Sequence, residues 1–133
     1  MGYNAIHDLP NDLRCSKLGS LVLASNVRLQ KVPEEIFSNS LSLQVLDLSS
    51  TSIKGLPNLN QLQQLQFLNL SSCSKLVDLP DSLCSVLSLK GLDLSYTPIK
   101  SLPENFCNLS SLQVLNLNSC LELHELPNNI EDL

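Results

Sequence analysis

Few side chains in this chain could do chemistry. Two histidines and five cysteines supply its imidazole and thiol groups. His7 and His124 each precede an acidic residue and a Leu-Pro pair, in His7-Asp8-Leu9-Pro10 and His124-Glu125-Leu126-Pro127. A histidine beside a carboxylate could orient a general base or help hold a metal. Their shared context, however, marks them as copies of one position in a repeat. Five strand spacings of ~4.8 Å would hold them about 24 Å apart, too far to share a metal or a proton. The odd cysteine count, with no paired-motif spacing, fits a reducing compartment rather than a disulfide framework. Cys73 and Cys120 follow strand patterns and read as small buried groups. Cys84 and Cys107 occupy matching positions on neighbouring repeats, where fanning of the chain disfavours a bridge. No GxxxxGK[ST] loop is present to cradle phosphates. The residues therefore point to no catalytic, cofactor or metal site, and to a protein that is not an enzyme.

Charge and hydropathy narrow the partners. Thirteen acidic and eight basic residues give a net charge of −5 and are spread along the chain. Without a basic run, nucleic acid is excluded as a natural partner. No apolar stretch approaches the ~18 residues that would insert into a bilayer. The opening "MGYNAIHDLP" lacks the pattern of a signal peptide, and Ile6 stands where a myristoylation signal needs Ser or Thr. Only 4% of residues are aromatic against 43% apolar, so Leu carries the hydrophobicity and a repeat is expected.

The elements that position these residues are legible as that repeat. The template LxxLxL recurs from Leu18, Leu43, Leu65, Leu89 and Leu112, as "LGSLVL", "LQVLDL", "LQFLNL", "LKGLDL" and "LQVLNL". Three residues after each last Leu comes Asn26, Thr51, Cys73, Thr97 or Cys120, and each repeat then reaches a Leu-Pro or Val-Pro pair. Repeats of this length and pattern are leucine-rich repeats, whose period is ~20–29 residues. The predicted fold is an α/β repeat, a horseshoe-shaped solenoid. A parallel sheet lines its concave face, and short helices or turns cover its convex face. One domain spans 1–133, with a partial repeat over 1–17. The first segment aligns Asn4 with the ladder position and Met1 with the last strand Leu. This predicts about six strands, a segment of a longer array, and self-association through uncapped ends.

Each motif has a physical reason. The LxL alternation places its Leu residues on one face of a short strand. The Asn, Thr or Cys turns inward to satisfy backbone groups of the turn. Pro then ends the extended run and suits the start of a short helix, followed by Glu34, Asn58, Asp81, Glu104 or Asn128. In "PDSLCSVL" and "PENFCNL", Leu83 with Leu87, and Phe106 with Leu109, are expected to face inward. Two repeat forms alternate: "TSIKGLP" and "TPIKSLP" are one residue shorter than "CSKLVDLP" and "CLELHELP".

Residues alternating with the strand Leu must face solvent on the concave wall. One column is Ser20, Val45, Phe67, Gly91 and Val114, and the central one is Val22, Asp47, Asn69, Asp93 and Asn116. A third is Ala24, Ser49, Ser71, Ser95 and Asn118, flanked by Ser25, Ser50, Ser72, Tyr96 and Ser119. Phe67 and Tyr96 break a small, polar pattern, as interface anchors do. The expected protein-binding patch is Phe67, Asp93 and Tyr96, with Asp47, Asn69 and Asn116 around them. Arg28, Lys54, Lys75 and Lys100 follow the ladder residues at similar offsets, forming a basic edge that could dock an acidic partner domain.

The Cys/Asn/Thr ladder combined with LPxxI/L/F resembles the leucine-rich repeats of plant intracellular nucleotide-binding disease-resistance proteins. "LQVLDLSSTSIKGLP", "LNLSSCSKLVDLP" and "LPNDLRCSKLGSLVL" are most similar to the coiled-coil-bearing branch. The likeness covers essentially the whole chain but only the repeat region of that family. It implies a recognition and autoinhibitory region of an immune receptor, in the cytoplasm or nucleus. The implied partners are proteins: a pathogen effector, a guarded host protein, or the receptor's own nucleotide-binding domain. The alternatives are a free-standing scaffold of the plant Ras-group type, whose repeats are more uniform, and the ectodomain of a receptor kinase. The latter would carry LxGxIP repeats and paired-Cys caps, which this sequence lacks. Its sequons Asn69-Leu70-Ser71 and Asn108-Leu109-Ser110 follow from the repeat's own wording.

Overall fold

The computed structural model describes residues 6–11, 16–128 and 130–132. Five three-residue strands form its sheet: β1 (Ser20–Val22), β2 (Val45–Asp47), β3 (Phe67–Asn69), β4 (Gly91–Asp93) and β5 (Val114–Asn116). They lie side by side in sequence order and every pair is parallel. Register follows the repeat, with Leu21, Leu46, Leu68, Leu92 and Leu115 aligned across the sheet. This is the predicted solenoid. The expected additional strand at Met1 lies outside the described residues.

The return path of each repeat closes the core. Helix α1 (Glu34–Ser38) follows Pro33 and carries Glu34 and Glu35 in its first turn, where carboxylates complement the helix dipole. Later repeats wind more tightly, in 3-10 segments at Asp81–Ser85, Phe106–Asn108 and Ile130–Asp132. That winding corrects one expectation. Leu83 is buried, but its partner on the inward stripe is Val86, while Leu87 is 51% exposed. A 3-10 helix has three residues per turn, so position i+3 rather than i+4 returns to the same face. Phe106 and Leu109, three apart, are both buried as expected.

Inside the turn after each strand runs the ladder. Asn26, Thr51, Cys73 and Thr97 are buried, and Cys120 is half-buried. Asn26 Nδ2 donates to Leu23 O at 2.7 Å. Thr51 Oγ1 donates to Leu48 O at 2.8 Å, and Cys73 Sγ reaches the same carbonyl at 3.1 Å. Thr97 and Cys120 repeat the arrangement on Leu94 O, at 2.6 and 3.0 Å. One carbonyl thus spends both lone pairs on two ladder residues. Among the described residues, every buried side-chain nitrogen and oxygen has a partner.

The core is continuous through the middle of the stack. Leu46, Leu48, Leu68, Leu70, Leu92 and Leu94 are buried. In the last repeat Leu112, Leu115 and Leu117 are only partly buried against it. No helix among the described residues is long and apolar enough to cross a membrane.

Candidate protein-interaction surfaces

On the concave face the register sets Phe67 opposite Val45 on one side and Gly91 on the other, with Val114 beyond. The Phe67 ring lies across Gly91. A Cβ at Gly91 would sit 2.8 Å from its Cδ1 and 3.2 Å from its Cε1, inside van der Waals contact. Glycine is therefore needed here for space, since its backbone conformation is ordinary. Gly91 is buried beneath the ring, while Phe67 remains 50% exposed and Val114 62% exposed. Together with Val45, Asp47 and Asp93 they line an open groove of about 430 Å³.

The central column has a structural task that sequence reasoning missed. Asp47, Asn69, Asp93 and Asn116 each accept, through Oδ1, the backbone N–H two residues on. Those N–H groups, of Ser49, Ser71, Ser95 and Asn118, lie 2.9, 3.0, 2.9 and 3.1 Å away. Such local bonds fix the turn that leaves the strand. The next residue has positive φ in each of the five described turns, Ser25, Ser50, Ser72, Tyr96 and Ser119, at 55 to 62°, and the first of these forms without such a bond because Val22 stands in its column. The recurrence of Asp and Asn in the column was the available signal.

Asp93 is the most elaborated member of the column. Burial pushes its carboxyl upward, but Ser95, through hydroxyl and backbone N–H, and the Asn116 amide outweigh that. The carboxyl is held below the usual carboxylate range. The Asn116 bond, Nδ2 to Oδ2 at 3.1 Å, ties β5 to β4.

Tyr96 stands apart from this groove. It lies in the turn beyond the end of β4 and does not line the groove. Its neighbours are Pro98, Leu121 and Glu122, which line a separate hollow of about 450 Å³ at the turn edge. The six expected contact residues are therefore split: five share the groove and Tyr96 belongs to the edge.

The basic edge is staggered rather than a single column. Backbone bonds of 3.2 Å align Lys54 with Gln30, Lys100 with Val77, and His124 with Lys100. Arg28 and Lys75 sit instead in the longer loops, two residues past Asn26 and Cys73. All four basic residues are exposed, with exposed Asp78 and Glu125 among them.

Chemistry elsewhere stays sparse. His7 Nδ1 meets Asp8 Oδ2 at 3.4 Å in an exposed pair, whereas His124 Nδ1 meets the Glu122 carbonyl. Burial pushes the Cys73 and Cys84 thiols up, against the thiolate a nucleophile would need. Among the described residues no cluster of His, Cys, Asp or Glu could hold a metal ion.

A stack of parallel strands with a polar inner ladder and a grooved concave wall defines a repeat solenoid that binds proteins. Leucine-rich-repeat family models match residues 16–74, 64–86 and 88–109, and the chain belongs to that family. Its repeats are similar to those of plant disease-resistance proteins. It is 41% identical over 96 residues to the Arabidopsis thaliana disease resistance protein At5g05400, covering 71% of this chain and 11% of that one. It is 35% identical over 104 residues to the Arabidopsis disease resistance protein RPS6, covering 77% and 9%. The chain thus spans about a tenth of the length of the curated relatives it matches. Among solved structures, the Leptospira interrogans repeat protein LIC12759 superposes with a TM-score of 0.69 at 25% identity. That match covers 96% of this chain and 41% of the other. The ectodomain of the Arabidopsis receptor kinase SOBIR1 gives 0.64 at 26% identity, covering 80% and 59%.

Proposed function

We propose that this chain is the recognition and autoinhibitory repeat region of a plant intracellular immune receptor, working in the cytoplasm or nucleus. Its concave groove takes a protein: a pathogen effector, a guarded host protein, or the receptor's nucleotide-binding module. The observation that carries this reading is the Phe67 ring, half-exposed over Gly91 and flanked by the carboxylates of Asp47 and Asp93. An exposed aromatic in a groove is the kind of anchor that dominates interface energetics. Asn69 and Asn116 contribute to the groove's polar side, and the staggered Arg28, Lys54, Lys75 and Lys100 edge is the second surface for the receptor's own domains.

Proximity labelling in challenged plant tissue tests the groove. The native chain and a convex-side control, Asn108→Ala, should label the same proteins, and Phe67→Ala should lose a subset of them. Identical labelling by all three would refute the groove as the contact surface.

A further inference from the structure

The turn-edge hollow at Tyr96 has its own logic, independent of the concave groove. Of the five described turns, four have Ser at the positive-φ position, and here a bulky aromatic has φ 58°. Left-handed backbone is unfavourable for any non-glycine residue, and the four serines share it. Burial does not compensate, because Tyr96 is 64% exposed. Its position is nevertheless fixed, since its N–H donates to Asn118 O at 2.9 Å.

Apolar residues lie beside it: the residue after the ladder position is Pro98 in the Tyr96 repeat and Leu121 in the next, where earlier repeats have Val27, Ser52 and Ser74. Leu121 is 90% exposed. Glu122 completes the hollow, and among the described residues its carboxylate makes no ion pair. An aromatic face, an exposed aliphatic side chain and an uncommitted carboxylate thus line one depression.

From this we infer that the hollow is an anchor site for an arginine on a partner protein. The guanidinium stacks on the Tyr96 ring and pairs with Glu122, while its methylene stem lies against Leu121 and Pro98. Arginine fits better than lysine because its planar, weakly hydrated head both stacks and pairs with a carboxylate.

The test is an NMR titration of the full chain with N-acetyl-arginine amide, and in parallel with N-acetyl-lysine amide. Shift changes should concentrate on Tyr96, Leu121 and Glu122 at millimolar concentrations, with the lysine analogue several-fold weaker. Glu122→Gln and Tyr96→Ser should each weaken arginine binding by about fivefold. Tyr96→Ser should also unfold at the same temperature as the native chain or higher. No localised shifts up to tens of millimolar, equal response to both amides, or binding unchanged in Glu122→Gln would overturn the proposal. So would a marked loss of thermal stability in Tyr96→Ser, which would make the ring packing cover.

Discussion

Two rows of polar side chains hold the same turns from opposite sides. The inner row, Thr51, Cys73, Thr97 and Cys120, gives its hydrogens to strand-end carbonyls within the core. The outer row, Asp47, Asn69, Asp93 and Asn116, accepts turn N–H groups on the concave wall. Water cannot replace a partner lost from the inner row, but it can reach the outer one. The inner row should therefore matter for stability alone, while the outer row is half scaffold and half binding surface. Much of the wall's acidic and amide character consequently reports on turn geometry and says little about a partner. On the proposed reading, the partner contacts sit instead at Phe67, Tyr96 and Leu121.

The largest effect should come from the inner row. Thr97→Val leaves the buried Leu94 carbonyl only the weak thiol donor of Cys120 and should lower unfolding stability by about 1–2 kcal/mol in urea denaturation. A loss no greater than that of an outer-row variant would erase the distinction drawn between the rows.

The outer face should be forgiving except beneath Phe67. Gly91→Val drives new atoms into the ring and should cost about 1–2 kcal/mol. Phe67→Ala in the same chain should recover much of that loss, because the two positions touch. Additive losses in the double variant would show that the ring swings clear without resistance.

Asp93→Ala frees the Ser95 N–H, the Ser95 hydroxyl and the Asn116 amide at a part-buried site, and should cost about 1 kcal/mol in the same assay. A pH series sharpens this point. The Asp93 carboxyl is depressed in the folded chain, so its contribution is present above the unfolded value near ~3.9 and is lost as pH falls through the lower folded value. Stability of native chain and Asp93→Asn should therefore differ at neutral pH and converge on acidification below that range. A difference that persists unchanged into acid would detach the charge from the effect.

The parallel strand order and inner ladder were readable from the LxxLxL register because period-two burial and a turn residue at fixed offset leave few alternatives. Leu87 was misplaced because sequence pattern alone does not separate 3-10 from α winding over so short a segment. Phe67 and Tyr96 announced themselves as exceptions in their columns. Their separation did not, because alternation says which way a side chain faces and not how far along the turn two exceptions fall. The Asp/Asn column hid its bonding role for a related reason: an acceptor for a local N–H and a contact for a partner call for the same residue types.

The shared carbonyls carry a consequence for inheritance. Thr51 with Cys73, and Thr97 with Cys120, are bound in twos by Leu48 O and Leu94 O. Arrays of this kind can change length when misaligned copies of a gene recombine. Removing only the Cys73 repeat would set Thr51 beside Thr97, and removing only the Thr97 repeat would set Cys73 beside Cys120, whereas removing both of these would rebuild a Thr-Cys couple from Thr51 and Cys120. Between Thr51 and Cys120 the unit that can be exchanged without loss of an inner bond is therefore two repeats long.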